Sequence, residues 1–175
     1  MFKKHNPDEE YHIKRFNDFD EARIFIEDMN RDKELTIAAI DYMISHKEYY
    51  FLLKNLYRHI KEKNLRREIF EYALLSLDIC PKREEDIKII MEILQMKNSF
   101  SEDMVEFLKG CSCQLKDFIL GLLENKDPYI RKNAVSILMH CPDEKTKNKI
   151  KLLIKKEESS EVKDEMRKFL DIVND

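Results

Sequence analysis

Four cysteines, Cys80, Cys111, Cys113 and Cys141, with His140 beside the last, are the residues of this chain whose types suit metal binding or redox chemistry. Thiolate and imidazole are the ligands of tetrahedral zinc, and Cys111-Ser112-Cys113 brings two thiols close in sequence. Three of the four recur regularly: Cys80, Cys111 and Cys141 stand 31 and 30 residues apart. Such recurrence points to one position in a repeated unit rather than to a ligand cage. Stacked helices lie about 8–10 Å apart, too far for residues one unit apart to share an ion. The cysteines are therefore expected as small buried packing residues, and no metal is expected. The N-terminal MFKKHNPDEE lacks the apolar run of a secretory leader. Free thiols in a reducing compartment are then the simplest state, which makes the cytoplasm the expected location.

Other reactive residue types form no constellation. His5, His12, His46, His59 and His140 make no H-x-x-x-H or H-E-x-x-H site. General acid–base work needs a buried, perturbed carboxylate. The runs Glu9-Glu10, Glu84-Glu85-Asp86 and Glu157-Glu158 read instead as solvated helix starts and turns. Only Gly110 and Gly121 are available for positive backbone φ, and no G-x-G-x-x-G, P-loop or G-x-S-x-G is present. No catalytic residue, no cofactor and no enzymatic activity are expected.

Basic pairs at Arg66-Arg67, Lys82-Arg83 and Arg131-Lys132, and the run Lys145, Lys147, Lys149, Lys151, are the candidates for meeting phosphates. Acidic residues interleave with them. Lys and Arg total 32 against 35 Asp and Glu, a formal net charge of −3. A duplex-binding protein carries a basic excess, so nucleic acid is not the expected partner. No apolar stretch approaches the roughly 20 residues that span a bilayer.

The elements that carry these residues follow from periodicity. Of 175 residues, 43% are hydrophobic and 38% charged, enough for one core under a densely charged surface. Leu, Ile, Met and Ala flanked by Glu and Lys favour helix, and no strand pattern is evident. Aligning LRREIFEYALLSLDICP (65–81) with DPYIRKNAVSILMHCP (127–142) superposes Ile69 on Ile130, Ala73 on Ala134, Leu77 on Leu138 and Cys80 on Cys141. A copy halfway between them carries Phe100, Met104, Leu108 and Cys111, and outer copies carry Leu35, Ala39, Met43, His46 and Val162, Met166, Leu170, Val173. Within each copy the slots fall at i, i+4, i+8 and i+11, one face of a helix. Each copy follows a second apolar helix: EARIFIEDM, YYFLLKNLYRHI, DIKIIMEILQM, QLKDFILGLL and NKIKLLIKK. Asp127 before Pro128 is the clearest helix start, with Asp32, Asn98 or Ser99, and Ser159 or Ser160 in like positions; Pro81 and Pro142 are expected to stop their helices. The spacing predicts an all-α fold of about five antiparallel helix pairs stacked as a curved solenoid over residues 17–175. Residues 1–16 precede the first unit and carry no assignable pattern.

The fourth unit, DPYIRKNAVSIL, is similar to the D-x-x-[VI]-R-x-x-A-x-x-x-L run of HEAT-like helical repeat proteins, and SSEVKDEMRKFL is a degenerate copy. The first three units lack the Asp-Arg pair, with Asp32 facing Thr36, Arg66 facing Phe70 and Lys97 facing Ser101. The resemblance implies a HEAT-like α-solenoid. One branch of that architecture, the DNA-alkylation glycosylases, holds duplex DNA. It is the alternative function, although none of its catalytic residues is matched here.

Function then rests on surplus apolar surface. Off-stripe positions are mostly polar in the later units but hold Ile37, Ile44, Tyr72, Leu75 and Ile79 in the first two, with Tyr49 and Tyr50 nearby. An apolar and aromatic face of this kind suits a protein or peptide partner. The expected function is a non-catalytic interaction module or scaffold, docking its partner through those seven residues.

Overall fold

The structure, a computed structural model, describes residues 16–174. The N-terminal segment 1–16 thus lies outside the described residues except for Phe16, which is buried.

All regular structure among the described residues is helical, in ten helices. They are α1 (Phe19–Glu27), α2 (Lys33–Ser45), α3 (Tyr49–Lys61), α4 (Arg67–Ser76), α5 (Glu84–Gln95), α6 (Ser99–Gly110), α7 (Lys116–Leu122), α8 (Pro128–Leu138), α9 (Glu144–Leu153) and α10 (Ser160–Asn174). Start signals act where the sequence places them. Asp32 accepts from the Leu35 amide, and Asp127 accepts from the Tyr129 amide with Pro128 at the first helical position. Asn98 and Ser101 form a reciprocal capping box.

Consecutive helices pack as hairpins in four of the five expected pairs, α1 on α2, α5 on α6, α7 on α8 and α9 on α10, whereas α3 packs on α2 and α5 rather than on α4. Sideways, α2 packs on α4, α4 on α6, α6 on α8 and α8 on α10, while α1 meets α3 and α3 meets α5. The apolar stripe faces inward along the first of these rows. Ala39, Met43, Ile69, Ala73, Met104, Leu108, Ile130, Ala134, Leu138, Val162 and Met166 are all buried. Phe70 and Phe100 meet edge to face, their ring centroids 5.2 Å apart, across the α4–α6 boundary.

Polar links cross the same boundaries. Lys33 pairs with Glu68, Arg67 with Asp103 (2.6 Å), Lys97 with Asp127 (2.6 Å) and Lys132 with Glu161 (3.2 Å). Arg131 does not close on Asp127. Its guanidinium grips Glu157 with both arms (2.7 and 2.6 Å) and donates to the carbonyls of Asn125 and Lys126.

Neither helix expected to end at a proline reaches it: α8 stops at Leu138, before Pro142, and α4 stops earlier still. α4 stops at Ser76, five residues short of Pro81, and Leu77 already has extended backbone. Two tertiary contacts hold the released segment 77–83. Asp78 accepts the Tyr49 hydroxyl at 2.7 Å, and Cys80 is bonded to Cys111.

Candidate docking groove

Between α4 and α6 the surface opens into a groove of about 370 Å³, and an adjoining hollow of about 380 Å³, sharing Leu74, Leu75, Glu106 and Phe107 with it, runs beside residues 77–80. Its apolar floor is built by the α4–α6 register: Leu74 is 3% exposed, and the half-buried Phe107 ring lies beside it. Leu75, next along α4, is turned outward and stands 87% exposed at the rim, where Ile79 is 44% exposed.

Carboxylates border this apolar strip. Glu71, Asp103, Glu106 and Asp78 line the two halves, and among the described residues no Lys or Arg does. Two cations reach in from outside: Arg67 holds Asp103 and Glu71, and Lys109 pairs with Glu106. Among the described residues, four carboxylates against two cations give the groove a negative balance. The Cys80 and Cys111 side chains form its far wall.

The seven residues expected at a docking face are placed unequally. Leu75 and Ile79 are exposed and line the groove. Ile37, Ile44, Tyr50 and Tyr72 are half-buried against the core. The Tyr72 hydroxyl donates to Asp41 at 2.7 Å, and its phenol is raised above the ordinary range, first by burial and then by that bond. Tyr49 is buried, and its hydroxyl donates to Asp78. The groove's acidic border was not singled out from the sequence; Glu71, Asp78, Asp103 and Glu106 become neighbours only through helix packing.

The cysteines require correction. They are not free packing thiols: Cys80 is bonded to Cys111 and Cys113 to Cys141, with Cα–Cα distances of 5.6 and 5.3 Å. The expected helix-to-helix separation does not apply, because none of the four lies on the body of a helix. Cys80 sits in the loop after α4, Cys111 caps the end of α6, Cys113 is in the following turn, and Cys141 lies past α8. Chain ends leaving adjacent helices converge there. Each bond closes the base of one hairpin, α5–α6 and α7–α8, with Ser112 the only residue between the two rings. Paired cysteines no longer point to a reducing compartment.

Two acids expected to be solvated are also buried. Asp86 is 3% exposed, and burial raises its carboxyl above the ordinary value. Glu157 is 9% exposed, and Arg131 holds its carboxyl low. The candidate phosphate-binding cations have acidic neighbours: Lys145 pairs with Asp117, Lys147 with Glu144 and Lys149 with Glu124. Among the histidines, His59 is buried between the Ile26 carbonyl and Asn64, His46 stacks on Tyr42, and His140 is exposed. No described helix is long and apolar enough to cross a membrane.

Comparison with protein-family models, with curated proteins and with solved structures finds no match.

Proposed function

We propose that this chain is a HEAT-like α-solenoid that works as a non-catalytic docking module. Its partner is a protein or peptide presenting an apolar segment flanked by basic residues. The side-to-side contacts of α2, α4, α6, α8 and α10 are those that stacked helix pairs make when each covers its neighbour. The observation that carries the docking reading is Leu75, a large apolar side chain 87% exposed beside the apolar floor of a negatively bordered groove. Covering a leucine side chain returns about 1.5–3 kcal/mol, or roughly ten- to a hundredfold in Kd. The excess of carboxylates favours a cationic flank and discriminates against acidic segments.

The test compares the intact protein with its Leu75→Asp variant as bait in native lysate. Proteins captured by the first and lost by the second are identified, purified and titrated. Because Leu75 is solvent-exposed, the substitution is expected to move stability by no more than about 0.5 kcal/mol. Kd should weaken at least roughly tenfold, and the bound segment should be apolar with basic flanks. Equal affinity for both baits refutes the groove as the docking site.

A further inference from the structure

The two disulfides sit in contrasting surroundings. At Cys80–Cys111 the two residues are only 8% and 3% exposed. At Cys113–Cys141 the first cysteine is exposed and the second half-buried. The second pair also has a cation: Lys116, in the first turn of α7, places its ammonium 3.9 Å from Sγ of Cys141. The same ammonium donates to the Cys141 carbonyl at 2.8 Å and pairs with the Asp143 carboxylate at 2.6 Å. An ammonium has three protons, and these three acceptors account for them. Asp143 shares the positive charge and also fixes Lys116 against the sulfur.

We infer that Cys113–Cys141 is a thiol–disulfide exchange site for low-molecular-weight thiolates, with Cys113 as the attacked sulfur and Cys141 as the leaving group. Exchange needs an in-line approach to one sulfur and a stable thiolate on the other. Exposure provides the first at Cys113, and the Lys116 ammonium provides the second at Cys141. The incoming thiolate forms a bond to Sγ of Cys113 as the Cys113–Cys141 bond breaks, and the electron pair leaves on Sγ of Cys141. A second thiolate then attacks the small-thiol sulfur of the mixed disulfide and frees Cys113. Two small thiols are thereby oxidised to their disulfide, balancing the two-electron reduction of the protein pair. The α7–α8 hairpin opens at its base, whereas Cys80–Cys111, in the wall of the docking groove, stays closed. Exchange thus marks the surface beside the groove without dismantling it.

The experiment uses reduced glutathione as the probe on the full chain, purified without reductant, at mildly alkaline pH and without denaturant. Samples are quenched over time with iodoacetamide and each cysteine is followed by peptide mass mapping. Cys113 and Cys141 should open first, with glutathione trapped on Cys113 and carbamidomethyl on Cys141. Cys80 and Cys111 should resist until the protein is denatured. A Lys116→Met variant whose circular dichroism matches the parent should open more slowly, by about threefold or more. Four free thiols in the starting protein, simultaneous opening of both pairs, prior opening of Cys80–Cys111, or glutathione trapped on Cys141 would each overturn the assignment. An unchanged rate in Lys116→Met overturns the role of the ammonium.

Discussion

Asp86 and Glu157 show how two carboxylates in similar acidic runs come to opposite ends. Asp86 lies in the first turn of α5, where the helix N-terminus favours a negative charge, and Arg83 approaches to 4.0 Å. One of its oxygens nevertheless has no hydrogen-bond partner, and burial outweighs both attractions, leaving the carboxyl raised above its ordinary 3.8. An acid with a raised folded-state value binds its proton more tightly when folded, so it contributes most when protonated, and that contribution is lost as pH rises through the folded value. Asp86→Asn is therefore expected to stabilise the protein at neutral pH, on the order of 1 kcal/mol. The gain should shrink as pH is lowered towards about 4; urea denaturation at both pH values reads it, and a loss at neutral pH contradicts it. Glu157 has the reverse sign. Arg131 holds it below 4.5, so its contribution is present above 4.5 and disappears as acid takes it through the depressed value. The acidic runs were legible in the sequence, but the one buried residue among Glu84, Glu85 and Asp86 was not. It depends on how α5 is rotated against its neighbours, which the run of like charges does not encode.

The second helix of each pair could be read from the i, i+4, i+8 stripe and its caps, and the first from the apolar segment before it, because apolar patterning reports directly which side must be covered. Their endings were harder to read. Scarce glycine argued against positive-φ turns, yet Lys47, Lys63 and Lys97 adopt φ values of 62°, 57° and 52° just beyond the ends of α2, α3 and α5. No described glycine has a positive φ; Gly110 and Gly121 both lie within helices. A non-glycine residue in the left-handed region costs about 1–2 kcal/mol. A lysine at a helix C-terminus recovers part of that against the helix dipole. Lys63 is the cleanest place to test the balance, since Lys97 also serves Asp127. Lys63→Gly should raise stability by about 0.5 kcal/mol, the relief of φ strain exceeding the added freedom of the unfolded chain. A lower denaturation midpoint would mean that the lysine charge dominates. The early end of α4 was illegible for another reason: Tyr49–Asp78 and Cys80–Cys111 are contacts across the molecule, and they override a stripe that would otherwise continue to Cys80.

At the scale of the whole molecule, cohesion comes from an apolar row running from α2 to α10 and from two sulfur–sulfur bonds near its middle. Closing loops of 31 and 28 residues stabilises by about 3–4 kcal/mol each in the chain-entropy account. Paired Cys80→Ala and Cys111→Ala substitutions should therefore lower the free energy of unfolding by about 3 kcal/mol. The same pair of substitutions should weaken docking, since the groove loses its far wall; denaturant titration and partner binding measure the two effects separately. An unchanged denaturant midpoint would contradict the bond's structural weight. The regular cysteine spacing was visible in the sequence, but the pairing was not, because it arises where chain ends leave adjacent helices. Those same bonds alter how the chain would bear a load. Pulled from its two ends, the polypeptide transmits tension across the sulfurs and past Ser112, so the α5–α6 and α7–α8 hairpins lie off the line of force. With about 3.6 Å per extended residue, separations of 31 and 28 withhold roughly 200 Å of contour. A single protease cut inside either ring leaves the molecule in one covalent piece.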